Sequence, residues 1–310
     1  MNIQKLYDAS LRHKNPKIAS LHFKLNKGIV NVFYPMFAKS FAGRGNKHGV
    51  DASVGVDPSS NVIVSLTSYP ARIDTIHLTI TTLLNQTVKP KMVILWLAKE
   101  QFPGEIDDLP KKLTDLTSKG LTIRFCDDLR PHKKYYYTMK ENPDSAVITV
   151  DDDVFYPENL VEDLTKTAEK FPDTVVCTWG HEIFLEDGDV YTADKWQYST
   201  KGTTPSYALI PTGIGGVLYP AHCLSEEVFN KDAIKELCLN ADDLWLKAMA
   251  LKNHKKAVRI DNPAKLFFSI LKTQKSGLYY DNAIADKNSV AWKNIMQAYP
   301  ECREVLLKNI

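Results

Sequence analysis

Between residues 61 and 150, apolar stretches of two different periods take turns. NVIVSLTSY (61–69) is almost continuously apolar and reads as a strand, and IDTIHLTITTLLNQ (73–86) carries its apolar residues at helical spacing. KMVILWLA (91–98) is a second strand, LPKKLTDLTSKG (109–120) a helix closed by a glycine, and LTIRFCD (121–127) a third strand. KYYYTMKEN (134–142) is helical, and AVITV (146–150) is a fourth strand. This alternation predicts an α/β fold: a doubly wound, mainly parallel sheet flanked by helices. Strands without polar alternation are expected to be buried on both faces. Ligands of such sheets bind beyond the carboxyl ends of the strands.

At that edge lies VITVDDDVFYP (147–157). Three consecutive carboxylates repel one another and cannot be buried without partners. If the extended backbone continues, Asp151 and Asp153 point to one side and Asp152 to the other. Two carboxylates on one side suit a hard divalent cation, Mn²⁺ or Mg²⁺, which takes few protein ligands and fills its shell with phosphate and water. The plain alternative is an acidic turn or cap before PENLVEDL. The strand ahead and the helix start after Pro157 favour the cation.

Charge is distributed unevenly. The net charge of +2 hides nine Lys or Arg in residues 1–50 against one acid, Asp8, about +8 there and about −6 in the rest. Phe23, Phe33, Tyr34, Phe37 and Phe41 are interleaved with these cations. The expected organisation is a basic, helical extension with a Gly/Ser-rich linker (1–60, the linker from 43) ahead of one large domain (61–310). The run 28–43 is interrupted by Asn31, Pro35 and Lys39, too short and too polar to span a bilayer. Peripheral attachment of residues 1–50 to an anionic membrane is one expectation; packing on the domain or an oligomer contact is the other. The acidic body and the absence of a nucleic-acid motif count against nucleic acid. Five cysteines without CxxC spacing suit core positions in a reducing compartment. The expected location is cytoplasmic, with the inner face of the cell membrane as the place such attachment would lead.

Several motifs, in order, resemble the GT-A glycosyltransferases, and more narrowly the bacterial family-2-like enzymes of surface polysaccharide synthesis (capsule and O-antigen). They are VSLTSYPARI (64–73), HKKYYYTMK (132–140), ITVDDDVFYP (148–157), GIGGVLYP (213–220) and ADDLWLKAM (241–249). The resemblance implies a Rossmann-like fold and a metal-dependent, inverting transfer from a nucleotide sugar, with UDP favoured, to a glycan acceptor of the lipid-linked kind. It also assigns roles. Thr67, Ser68 and Tyr69 would hold the base and ribose, with Arg72 near the phosphates. Asp128 would serve the base in place of the usual acidic pair after the second strand, where WLAKEQFP stands instead. Lys134 would contact the donor diphosphate, and Asp151 and Asp152 would face the nucleotide. The metal would sit on Asp151 and Asp153. Gly215 and Gly216 would line the donor sugar. Asp243 would be the general base and Asp242 its neighbour, although Asp242 is also a natural helix N-cap. The segments 273–282 and 287–292 resemble a mobile part that closes over the donor.

Two rivals stand beside this reading. A nucleotidyltransferase uses a similar sheet but needs a Gly-rich, basic phosphate loop after its first strand, which TSYPARI matches poorly. A non-catalytic glycan-binding or scaffold protein on a decayed transferase fold would have little reason to keep both DDD and ADD.

Overall fold

The computed structural model describes residues 3, 5–6, 16–43, 55–186, 189–190, 202–261, 268–276 and 287–309. The linker reading for 43–60 falls mostly outside them, as does 277–286. In chain order the elements are α1 (Pro16–Gly43), β1 (Val62–Thr67), α2 (Ile76–Leu84), β2 (Met92–Ala98), α3 (Lys111–Thr114), β3 (Leu121–Cys126), α4 (Lys133–Glu141) and β4 (Ala146–Thr149). There follow α5 (Leu160–Lys170), β5 (Val175–Cys177), β6 (Gly180–Glu182), β7 (Leu185–Glu186), β8 (Asp189–Val190), β9 (Leu209–Pro211) and β10 (Val217–Tyr219). The chain closes with α6 (Lys231–Leu237), α7 (Asp242–Lys252), β11 (Ala257–Arg259), α8 (Lys287–Ala298) and α9 (Pro300–Asn309). The result is a mixed α/β fold with a mainly parallel, seven-stranded central sheet and helices on its flanks. The expected helix over 109–120 is shorter: α3 is one turn, a 3-10 turn (Asp115–Lys119) follows, and Gly120 at φ +106° turns the chain into β3.

Contacts divide the chain into two units, each assembled from separated segments. The first comprises 1–127, 151–163 and 264–276. Its strands β1, β2 and β3 are parallel, with Ile63 opposite Met92 and Val93 opposite Leu121. Ile63, Val64, Leu66, Val93, Leu95 and Leu97 are buried, as continuous apolar strands require. Gln86 ties the chain after α2 to the start of α5: its amide donates to Pro157 O (2.8 Å) and its carbonyl accepts from Val161 N (3.0 Å). α1 belongs to this unit. Its Val30, Tyr34 and Ala38 are buried among Leu78, Phe155, Phe268 and Ile270, with Phe23 against Phe268 at a 5.1 Å ring separation. The backbone of 153–155 pairs antiparallel with 268–270 through Phe155 N–Phe268 O (2.9 Å) and Ile270 N–Asp153 O (2.7 Å).

The second unit comprises 128–150, 164–263 and 277–310. Its strands run β11, β5, β10, β4, with β11 parallel to β5 and β10 antiparallel to both neighbours. α7 is buried almost all round, and with α8 and α9 it builds a core on Trp245, Met249, Trp292 and Cys302. KNSVAW (287–292) thus opens a packed helix, with Trp292 buried in that core. All five cysteines are buried thiols.

Candidate functional site

In the first unit the chain does not stay extended past β4. It turns at Asp152–Asp153, so the expected alternation of Asp151 and Asp153 against Asp152 is not what forms. The cause is a set of local partners. Asp152 is buried, its carboxylate accepting from Ser68 Oγ (2.6 Å) and from Arg72 Nη1 (2.5 Å), while Thr79 Oγ1 donates to its carbonyl (3.0 Å). Arg72 Nη2 also lies 3.3 Å from Asp153 Oδ2. The Asp151 N–H donates to Tyr156 Oη (2.9 Å). Arg72, expected near phosphates, therefore binds two of the three aspartates, with its guanidinium 5.6 Å from the Tyr69 ring centre. Thr67 Oγ1 donates to Trp96 O (2.8 Å).

One guanidinium serves two of these carboxylates, and burial works against their ionisation. Burial pushes the Asp153 carboxyl up to about 7; Arg72 opposes this, and Asp152 and Asp151 add to it. Burial likewise outweighs Arg72 at Asp152 and holds that carboxyl above its ordinary value. A further cation stands on α1. Lys27 Nζ donates to Ser269 Oγ (2.6 Å); burial lowers its pKa and Asp153 opposes the drop. Sequence reasoning missed Lys27, which reaches this region from 242 positions away from Ser269.

The donor set fits a hard divalent ion. Asp151 and Asp153 each carry carboxylate oxygens, the donor type such an ion takes. Among the described residues no group of three His, Cys, Asp or Glu is placed to hold a metal by itself. An ion here would need oxygens from phosphate or water, as Mg²⁺ and Mn²⁺ accept.

The second unit carries the other expected residues. Lys134, near the start of α4, forms an ion pair with Asp242 (2.8 Å), their side chains only 5% and 10% exposed. Burial alone would raise the Asp242 carboxyl, but the Lys134 ammonium wins and holds it below the ordinary range. Asp242 is not the N-cap. Ala241 holds that position without a side-chain cap bond, and Asp242, the first helical residue, turns to Lys134. A buried ammonium is a stronger partner for a carboxylate than a capping amide. The buried His132 donates from Nε2–H to Cys238 O (2.9 Å) and accepts at Nδ1 from Tyr135 Oη (3.0 Å). Burial takes its pKa down to about 4, so the ring is neutral at pH 7.

Asp243 is half-buried, and both its oxygens accept from the Gly213 N–H (3.2 and 3.0 Å). Gly213–Gly215 forms a single 3-10 turn, and Gly216 follows at φ +92°, a conformation that favours glycine. GIGG thus presents a backbone donor to Asp243, a contact no local pattern announces. Asp128 pairs closely with Lys133 and accepts from Arg130 N (2.9 Å). Burial opposes its ionisation, yet the Lys133 bond and charge keep the carboxyl low.

No family model matches the chain, and no curated protein matches it in sequence. Solved structures do. The chain is similar to the mannosyltransferase PcManGT from Pyrobaculum calidifontis, solved with GDP-Man and Mn²⁺, at 13% identity and a TM-score of 0.48, over 98% of this chain and 79% of that one. It is similar to residues 1–349 of S. aureus TarS at 14% identity and a TM-score of 0.40, over 77% and 71%. A third likeness is to 4-diphosphocytidyl-2C-methyl-D-erythritol synthase, at 8% identity and a TM-score of 0.35, over 66% and 89%. Likenesses this distant say nothing of the donor, metal or acceptor of this chain.

Proposed function

We propose that the protein is a metal-dependent glycosyltransferase of the GT-A type. It would pass a sugar from a nucleoside diphosphate, UDP by the resemblance, to a hydroxyl of a lipid-linked surface glycan with inversion. The observation that carries the reading is the acidic turn itself: Asp152 and Asp153 share Arg72, and burial still holds both carboxyls above their ordinary values. Ser68 and Arg72 hold Asp152 within the turn; Asp153 is assigned to the cation, and Asp151 to the cation and the ribose. A bound divalent ion supplies charge neutralisation to the departing diphosphate. Thr67, whose hydroxyl hydrogen is used by Trp96 O, and the Tyr69 ring are assigned to the nucleotide base.

Asp243 is assigned the acceptor proton. It is ionisable and half-buried, and one backbone N–H orients it, as a positioned general base requires. Gly215 and Gly216 are assigned to the sugar. Asp242 keeps Lys134 charged and oriented, and Lys134 is assigned to the diphosphate.

The test is nucleotide release from a panel of nucleotide sugars with Mn²⁺ or Mg²⁺, run beside thermal shifts with the matching diphosphates. A ligand that binds only the folded state raises its melting temperature. The expected result is metal-dependent release by the native chain, with Asp153→Asn losing both release and the metal-dependent shift. Full activity in chelator overturns the metal assignment. Pyrophosphate release from a nucleoside triphosphate and a sugar phosphate assigns the chain to nucleotidyl transfer instead.

A further inference from the structure

α1 has two apolar faces, and the first unit uses one. Val30, Tyr34 and Ala38 recur every four residues and are buried. Ile18, Leu21, Leu25, Val32, Phe33 and Met36 are 47–69% exposed. At about 100° per residue, these six fall in an arc of about 120° centred opposite the buried face. A long surface helix in water normally carries polar residues there. Across its 28 residues α1 contains Lys17, Lys24, Lys27 and Lys39 and no Asp or Glu.

We propose that this outward stripe docks the protein onto an anionic lipid surface, with α1 lying along the interface. The inference does not depend on the reaction proposed above. Charge selects the occupant. Residues 1–50 carry about eight positive charges in excess, complementary to acidic headgroups and repulsive to a second copy of the same face. Exposed Lys17 and Lys24 fall beside the stripe on the helical wheel, so cations meet headgroups while Leu21, Leu25, Val32 and Met36 enter the acyl boundary. Nucleic acid would use the cations but has no use for six aliphatic and aromatic side chains in a row. Among the described residues no helix is long and apolar enough to cross a membrane, and α1, with one face committed to protein, suits a surface.

The test uses the full chain and co-sedimentation with phosphatidylcholine vesicles, with and without phosphatidylglycerol, across a salt series. The expected result is pelleting with the anionic vesicles at low salt and release as salt screens the charges. A combined Leu21→Gln, Leu25→Gln, Val32→Gln and Met36→Gln variant should lose at least about tenfold in vesicle affinity. These positions face solvent, and unchanged circular dichroism and melting temperature verify the variant's fold. Lys24→Glu is the independent probe and should weaken binding to anionic vesicles alone. No pelleting of the native chain, equal pelleting with neutral vesicles, or native-like binding by the combined variant overturns the proposal. Self-association in sedimentation velocity that the combined variant abolishes, without vesicle binding, also overturns it and gives the stripe to a second copy.

Discussion

The two clusters of buried charge in this molecule are balanced in opposite ways. In the second unit the Lys134 ammonium pairs with the Asp242 carboxylate at 2.8 Å, and His132 bonds to Cys238 O nearby. In the first unit Asp152 and Asp153 share Arg72, and burial drives Asp153 towards protonation near neutral pH. A closed pair of one ammonium and one carboxylate balances its own charge, so it can fix the position of neighbours such as Asp243. An open cluster, with two carboxylates on one guanidinium, favours a proton or a cation. The difference makes the acidic turn the cluster to test for binding and the Lys134–Asp242 pair the one to test for support.

The largest expected effect breaks the closed pair. Lys134→Met strands a buried carboxylate and should cost about 3–5 kcal/mol in urea unfolding, with Asp242→Leu in the same chain restoring most of it. A loss below about 1 kcal/mol would mean that the pair is not closed. Asp242→Asn belongs to the same test, because it removes the partner of Lys134 rather than a helix cap. Next, Asp243→Asn should reduce turnover by about a hundredfold, roughly 2.7 kcal/mol, with nucleotide affinity unchanged. Collapse of donor binding with turnover kept would reassign Asp243. On the open side, Ser68→Ala removes a hydroxyl from a buried carboxylate and should cost about 1.5–3 kcal/mol. It should also shrink the metal-dependent thermal shift; an unchanged shift would detach Ser68 from the cation.

The last prediction concerns a buried lysine with no carboxylate partner among the described residues. Lys247 donates to Tyr207 O (2.6 Å), and burial lowers its pKa from 10.5 to about 7. Between those values the unfolded chain binds the proton and the folded one sheds it, so this residue's contribution to stability rises with pH. That contribution is complete above 10.5 and lost as pH falls through 7. The slope is at most about 1.4 kcal/mol per pH unit. Lys247→Met should flatten that part of the stability profile, which unfolding measured at several pH values will show.

Much of the fold was legible because strands and helices announce themselves locally. β1 to β4 lie within one or two residues of their expected spans, since continuous apolar runs bounded by Gly, Pro and Asp leave little choice. DDD was legible for the same reason, as charge directly after a core strand. The partners were not. Asp152 meets Arg72 across 80 positions, and Lys134 meets Asp242 across more than a hundred. Such pairs are chosen by topology, which periodicity does not encode. The N-cap reading of Asp242 failed on this point, because a local rule met a distant ammonium. The basic N-terminal fifth read as a separate object because its cations dominate composition, while three side chains four residues apart decide where α1 packs.

The clasp between residues 153–155 and 268–270 has a consequence for how the protein is made. At about 5–20 residues per second, a ribosome reaches Ile270 on the order of ten seconds after Asp153. Through that interval Tyr34, Leu78 and Phe155 lack Phe268 and Ile270, and the Asp153 carbonyl lacks its amide. Asn31 of α1 also waits, since its side chain bonds Ser269 O and Leu271 N. A nascent chain halted before residue 268 holds all three aspartates and Arg72 yet cannot finish the unit that carries them. The acidic turn is encoded more than a hundred residues before the backbone that pairs with it.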